Sequence, residues 1–548
     1  MILIKELSAR IDGRNMEQDE IVDAILHHRG INDLSAFLTP SEDDMIDFDE
    51  MIGLHEAYVT IEDAITMGER FLVLADVDVD GCSANAIMVR YLRARGADVQ
   101  CVINQGKEHG AEHLDLELLK DVDVMIIVDS LDNNPEVYER ILSTGVRLVV
   151  FDHHIPERKL LESDLPFVLV SSANYYPNAE LSGAGVCLKY ALYADYMNME
   201  DYANELGLWL YGALGLVADM TSMSSPENRY IVYKGLQYYD NPLIKKVVGS
   251  YTFDSTSISF SVAPLINAAM RISQNTKAME IFLTDDEDEM DALITDLRGC
   301  RELQNNIVAE LMDELTKQAE EQLDKKCMFF MLPNDIDASV SGLVANKLLS
   351  QYQRPLCVLR ERIELNDDTG EITKHEYSGS MRAVGVASFK EYVDSTGFGW
   401  CQGHENAAGI GVGIDEFEDF KVAIEDVLSD VEFSIQVEAD VEITADQVTE
   451  HLIKQLSAIN RISGADFAPV TVLIRSNDYT PSFMSGGKHS KFIENDSGLL
   501  FVSWNDTTWK DASSDGEIVG VGTLSKARYG RNNYLQLTMS DYDICTTK

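Results

Sequence analysis

The sequence predicts an α/β protein in which a parallel-sheet domain is joined by a long helix to a second α/β domain and then to a β-rich C-terminal domain. Three observations carry this. Over the first 240 residues short apolar runs alternate with helical stretches, the pattern of parallel βαβ units. From Thr284 to Lys325 an acidic stretch periodic in Leu, Ile and Met holds almost no Gly or Pro, which reads as one or two long helices. The last 115 residues are richer in β-branched, alternating runs.

Taken in order, the apolar runs Phe71–Ala75, Val122–Val128, Arg147–Phe151 and Phe167–Val170 are the expected strands, each bounded by polar loops. Ala84–Arg95 and Pro135–Ser143 are the expected helices between them. A second α/β segment covers Cys327–Val427, with a helix-like V-S-G-L-V-A-N-K-L-L and a Gly-rich region from Gly397 to Gly413. The runs V-T-V-L-I, G-L-L-F-V-S-W and N-Y-L-Q-L-T-M suggest a small barrel or sheet at the end. At 548 residues about two to four domains are expected.

Composition narrows the chemistry. No apolar run reaches the roughly 20 residues of a membrane span, and the N-terminus is too charged for a signal peptide, so a cytoplasmic protein is expected. The eight cysteines include no C-x-x-C pair, which argues against a zinc ribbon or a disulfide framework. Lys and Arg number 44 against 93 Asp and Glu, a formal charge of −49. Such a surface suits solubility or a saline setting. It repels nucleic acid at long range, so a polyanionic substrate would need metal ions and a local basic groove.

The stretch Phe71–Ser83 reads F-L-V-L-A-D-V-D-V-D-G-C-S: a strand-like run ending in Asp76, Asp78 and Asp80. D-x-D-x-D-G also begins an EF-hand calcium loop, but that loop needs a Glu where Ile87 stands, and an entering helix. In a parallel sheet the carboxyl ends of the strands form the ligand crevice. Acids recur there: Asp129 follows V-M-I-I-V, and Asp152-His153-His154 follows R-L-V-V-F. Asp219 ends the apolar segment G-A-L-G-L-V-A-D. One such acid reads as a surface residue or a helix cap; four at segment ends point to a site. Hard carboxylates with one or two imidazoles and no thiolate suit two Mn²⁺ or Mg²⁺ ions, the arrangement of two-metal phosphoryl hydrolysis.

In that order the motifs D-V-D-V-D-G, I-I-V-D, D-H-H and G-L-V-A-D resemble the DHH phosphoesterase superfamily. Leu181–Val186 (L-S-G-A-G-V), Pro264–Arg271 (P-L-I-N-A-A-M-R) and Leu297–Gln304 (L-R-G-C-R-E-L-Q) resemble its RecJ branch of single-strand-specific 5′→3′ exonucleases. Gly379–Arg382 and Gly403–Gly409 resemble the G-S-x-R and G-G-H-x-x-A-A-G signatures of the DHH-associated domain. The resemblance implies a DHH domain over 1–283, a connecting helix over 284–326, a DHH-associated substrate-binding domain over 327–430 and an OB-like nucleic-acid-binding domain over 431–548.

It implies further that Asp76, Asp78, Asp80, Asp129, His153 and Asp219 are ligands of two divalent metal ions, Mn²⁺ or Mg²⁺, with Asp129 bridging them and His154 orienting the phosphate or acting as an acid–base group. Arg271, Arg382 and His404 would hold substrate phosphates. The implied partner is single-stranded DNA, with replication or repair proteins beside it and no membrane. Three departures bear on substrate grip. Gln402 replaces a glycine, Pro333–Gly342 lacks the family's aromatic and histidine, and the loop around Lys107–Leu114 lacks an arginine and a tyrosine. In the C-terminal domain Trp504, Trp509, Tyr529 and Tyr534 lie near Lys510, Lys526, Arg528 and Arg531, a composition that suits base stacking and phosphate tracking. Two alternatives are a hydrolase of short oligonucleotides, cyclic dinucleotides or pyrophosphate, and a non-catalytic replication accessory protein. The extra domains weigh against the first and the intact acids against the second.

Overall fold

The computed structural model describes residues 4–105, 109–365, 371–484, 489–504, 516–529 and 532–546. It opens on strand β1 (Ile4–Asp12), whose partner comes from the far end of the sequence. The chain divides into two compact units. One comprises 31–302 with 458–469; the other comprises 1–30, 303–457 and 470–548.

The first unit is built on a five-stranded parallel sheet: β2 (Arg70–Ala75), β3 (Asp98–Ile103), β4 (Val124–Val128), β5 (Arg147–Asp152) and β6 (Phe167–Ser171), in the order β3-β2-β4-β5-β6. The central strands are apolar throughout because both faces are covered, so neither face needs an alternating polar row. On one face Leu72, Leu74, Met125, Ile127, Leu148 and Val150 pack with Tyr138 and Ile141 of the helix Pro135–Leu142. That helix starts where it does because Asn134 caps it and Pro135 has no N–H to leave unpaired. Beyond the strands, the helices Val79–Ala94, Gly183–Asn198 and Leu208–Ala218 pack on one another. Leu208–Ala218 is apolar on every side and buried along its length, as a central core helix must be.

The second unit holds two sheets. In the first, β7 (Met328–Met331) runs parallel to β8 (Leu356–Leu365), while β9 (Ile372–Arg382), β10 (Trp400–His404) and β11 (Ala407–Gly413) complete an antiparallel set in the order β10-β11-β9-β8-β7. The other comprises β1 with β12 (Ser434–Glu442), β13 (Val472–Ser476), β14 (Tyr479–Met484), β15 (His489–Glu494), β16 (Leu500–Ser503), β17 (Gly516–Tyr529) and β18 (Asn532–Thr546). Its order is β1-β12-β13-β17-β18-β16-β15-β14.

One feature differs from the sequence expectation and another narrows it. The N-terminal strand, expected within 1–283, pairs in parallel with β12 from Ile4 opposite Ser434 to Asp12 opposite Glu442. Its alternation places Leu7 and Ala9 against Ala439, so the apolar face is satisfied only by a partner distant in sequence. The acidic stretch forms a single helix of 34 residues, Glu287–Glu320, that begins in one unit and ends in the other.

Candidate active site

Strands β2, β4 and β5 run in register, with Ala75 opposite Val128 and Val128 opposite Phe151. The residues that follow each of these, Asp76, Asp129 and Asp152, therefore gather at one carboxyl edge. The helix Val79–Ala94 begins immediately after β2 because the carboxylate of Asp78 accepts the Gly81 N–H at 2.8 Å, which carries Asp80 onto the first helical turn. Asp219 caps the far end of Leu208–Ala218.

Three overlapping sets of side chains bring one donor atom each within 4.8 Å: Asp76, Asp78 and Asp129; Asp80, His153 and Asp219; Asp129, His153 and His154. The structure thus gathers all six residues expected as ligands. Asp129 belongs to two of the sets. It is 1 % exposed, adopts a left-handed φ of 58°, and donates its N–H to Phe151 O at 2.8 Å. Non-glycine residues held in that region cluster at functional sites. His153 Nε2 lies 3.2 Å from Asp129 Oδ1 and 3.7 Å from Asp219 Oδ2. The 3.2 Å approach lacks hydrogen-bond geometry, so Asp129 Oδ1 is buried without a hydrogen-bond partner. An orphaned buried carboxylate oxygen facing an imidazole is costly unless a cation joins them, and carboxylates with imidazoles and no thiolate fit Mn²⁺ or Mg²⁺.

Asp80 has a second task. Its two oxygens accept from Ser182 Oγ (2.8 Å), Gly183 N (2.7 Å) and Ala184 N (3.1 Å), tying the start of the helix Gly183–Asn198 to the site. Gly183 is required there, since a Cβ would lie 2.6 Å from Asp129 Cβ and Oδ1. This is the physical content of the L-S-G-A-G-V stretch.

Residues that sequence reasoning left outside the ligand set also meet here. Asp152, fully buried, accepts from Leu131 N (2.6 Å), from the N–H groups of His153 and His154 (2.6 Å each) and from His154 Nδ1 (2.8 Å). It orients the His154 ring and leaves Nε2 as its open position. The signal was in the sequence, since Asp152 is the first letter of D-H-H. His109 Nδ1 lies 2.9 Å from Asp76 Oδ1, and its ring meets that of His154 at 5.2 Å. It belongs to the loop that lacks the family's arginine and tyrosine, of which 106–108, including Lys107, lie outside the described residues. Ser130 Oγ reaches Asp76 Oδ1 at 3.2 Å.

The acids repel one another. Burial, with Asp80 and Asp76 nearby, pushes Asp78 up to about 7, and burial with Asp80 pushes Asp219 up to about 6. Burial drives Asp129 far above the carboxylate range. Burial alone would raise Asp152 too, but the hydrogen bond from His154 holds it below its ordinary value and carries His154 up to about 9. Each raised group binds extra protons in the folded state. For Asp78 and Asp219 the folded protein therefore loses stability as pH rises from the carboxylate range through about 6 and 7; for His154 it loses stability as pH rises from 6.5 through about 9. With chelator present, the first unit should melt at lower temperature at pH 8 than at pH 5, and Asp78→Asn should flatten that slope. Mn²⁺ should restore Tm most at the higher pH, where the ligands are already deprotonated. A metal-free Tm that climbs between pH 5 and 8 would contradict this account.

The expected phosphate ligands lie in both units. Arg271 ends the helix Ala263–Arg271 in the first unit. In the second, Arg382 and His404 fall on one row, because Ala407 is opposite both. Arg382 Nε donates to Asn346 Oδ1 (2.9 Å) and Nη1 to Met381 O (2.7 Å), which fixes the guanidinium, while His404 is exposed. Gln402 sits opposite Gly409 in the β10–β11 hairpin. In the C-terminal sheet Trp504 is half exposed and edge-on to His489, and Tyr529 packs 6.0 Å from Tyr534 and donates to Gln536 Oε1. Lys526 is paired with Glu450. Trp509, Lys510 and Arg531 lie outside the described residues.

A parallel sheet whose strand ends carry these acids is the architecture of a DHH-family domain, and residues 70–213 match the model of the DHH family, N-terminal domain. Over a longer span the chain is similar to RecJ proteins. It is 29% identical over 394 residues to the single-stranded-DNA-specific exonuclease RecJ of Thermus thermophilus, a match covering 68% of this chain and 54% of that protein. It is 27% identical over 485 residues to YorK, an SPbeta prophage-derived protein of Bacillus subtilis named for a single-strand DNA-specific exonuclease activity, covering 82% of this chain and 81% of the relative. The fold matches the crystal structure of Thermus thermophilus RecJ in complex with Mn²⁺ with a TM-score of 0.77 at 22% identity, over 98% of this chain and 79% of that one. A second match is a crystal structure of exonuclease RecJ bound to manganese, with a TM-score of 0.54 at 25% identity, over 71% of this chain and 97% of that one. Among the described residues no helix is long and apolar enough to cross a membrane.

Proposed function

We propose that this protein is a metal-dependent exonuclease that hydrolyses the phosphodiester bonds of single-stranded DNA from the 5′ end. The observation that carries the reading is the buried, unpartnered Oδ1 of Asp129 beside His153, shared between two sets of ligating side chains. Two divalent ions, Mn²⁺ or Mg²⁺, when bound, supply the charge that polarises the phosphate and makes water nucleophilic at neutral pH. Asp76, Asp78, Asp80, Asp129, His153 and Asp219 would hold them. His154, oriented through Nδ1 by Asp152, offers Nε2 to a phosphate oxygen or to the leaving oxygen. Arg271, Arg382 and His404 would grip phosphates, arginine by a bidentate fork and not as a point charge. The domain division over 1–283, 284–326, 327–430 and 431–548 fits this reading with one amendment: β1 joins the C-terminal sheet. The protein's other proposed partners, replication or repair proteins, and a cytoplasmic setting follow from the same reading.

The test is an incubation with single strands labelled at the 5′ or the 3′ end, with Mn²⁺ or chelator. Immediate release of mononucleotide from the 5′ label, and none with chelator, is expected. A terminal phosphate carries more charge than an internal diester, so Arg382→Lys should abolish the preference for phosphorylated over hydroxyl 5′ ends while keeping the charge. Release from the 3′ label first would reject the polarity. An unchanged end preference in Arg382→Lys would move the clamp elsewhere.

A further inference from the structure

In the first unit, against the helix Pro242–Val248, lies an open cavity of about 420 Å³ that the metal site does not use. Buried Ile244 and Phe253 line its floor. Its rim carries Tyr239 and Tyr251, 66% and 79% exposed, with Lys245 and Arg461 beside them. The rim is shaped by Gly249, which ends the helix at φ 68° and ψ −123°, a conformation open only to glycine, and so turns the chain toward Tyr251.

The chemistry of the lining is specific. Neither Lys245 nor Arg461 forms an ion pair among the described residues, and both are exposed, so two positive charges stand open at this rim in a chain of net charge −49. Asp254, whose carboxyl feels the charge of Arg461, is occupied in accepting the Ser257 N–H at 2.8 Å. Two cations beside two exposed phenol rings over an apolar floor match a planar ring that carries an anion. The volume lies within the range of sites for small ligands. A tyrosine face stacks on any base, and a cation at its edge takes the phosphate.

We propose that this cavity binds one nucleotide unit, its base against the rings of Tyr239 and Tyr251 and its phosphate against Lys245 and Arg461. The proposal rests on the nuclease reading above and adds to it a second hold on the strand. The same chemistry is offered by a free nucleotide, and the experiment separates the two.

Full-length protein carrying Asp129→Asn, in chelator so that no strand is cut, is titrated with a labelled oligothymidine over a series of salt concentrations. Tyr251→Ala is expected to weaken binding about tenfold. Lys245→Gln and Arg461→Gln are each expected to reduce the slope of log affinity against log salt by about 0.7. All three side chains are exposed, and an unchanged Tm verifies folding. In a parallel arm, thymidine 5′-monophosphate is added while Tm is followed. A rise lost in Arg461→Gln supports a site for the free nucleotide as well; a response to the oligonucleotide alone supports a site for the strand. Unchanged affinity and slope in every variant, with no effect of the monophosphate, overturns the proposal. The two readings fail separately. If labelled strands are not cut but the variants still lose binding, the nuclease reading falls and the cavity stands; if strands are cut and the variants bind as before, only the cavity falls.

Discussion

Asp129→Asn is expected to lower hydrolysis of single strands by on the order of 10³-fold or more, at least the loss that follows removal of one pre-organised transition-state group. Asparagine is nearly isosteric and tolerates the left-handed backbone at this position, so the fold and the hydrogen bond to Phe151 O should survive. What is lost is the shared negative charge between the sets formed with Asp76 and Asp78 and with His153 and His154. The gain in Tm on adding Mn²⁺ should shrink in the variant, because ions that bind only the folded form stabilise by mass action. Without metal, burial already holds Asp129 far above the carboxylate range and so uncharged, and the neutral asparagine should leave the metal-free Tm close to that of the wild type. Initial rates with an end-labelled strand, with Tm measured in parallel, provide the check. Undiminished turnover in a folded Asp129→Asn protein would remove Asp129 from the chemistry.

The second large effect is on stability. Lys189, in the middle of the helix Gly183–Asn198, is 1 % exposed, and its ammonium donates to Glu227 Oε1 at 2.7 Å and to Ile46 O. Glu227 is as deeply buried and also accepts from Tyr176 Oη (2.7 Å), Asn178 Nδ2 (3.0 Å) and Ile46 N (3.3 Å). Burial drives the lysine's pKa down and Glu227 pulls it back. Lys189→Met leaves the carboxylate buried without its countercharge and should cost about 3–5 kcal/mol, as breaking a buried pair does. Replacing both partners, as in Lys189→Met with Glu227→Leu, should recover part of that loss, since neither charge is then stranded. Urea midpoints for the single and double variants decide it; a single variant within about 1 kcal/mol of wild type would mean that water reaches the pair. The same helix begins at Ser182, Gly183 and Ala184, which hold Asp80, so Lys189→Met should also weaken Mn²⁺ binding.

The β-rich C-terminal region is only in part open to such tests. Tyr529 and Tyr534 are half-buried on its strands and Trp504 is half exposed just past β16, but Lys526 is already paired with Glu450. A truncation after residue 430 would moreover strip β1 of its partner β12, so loss of activity in such a protein would not isolate nucleic-acid binding.

The sequence by itself determined what is local. Runs such as F-L-V-L-A and V-M-I-I-V can only be strands buried on both faces, and an acid directly after each must stand at a strand end, so Asp76, Asp129 and D-H-H were legible as a site. The capping of Val79–Ala94 by Asp78 and of Pro135–Leu142 by Asn134 follows from neighbours in the chain. Only the tertiary structure decided what depends on register and on partners far apart. It set β4 beside β2 and β5, which brings Asp129 next to Asp152, and it turned Asp80 onto the start of Gly183–Asn198. It gave Asp152 the task of orienting His154, and brought His109 to Asp76 from a loop with no periodic signal. It also paired β1 with β12: an alternating strand states which face needs cover but not which strand supplies it, because a backbone hydrogen-bond ladder accepts any extended partner and only packing selects one.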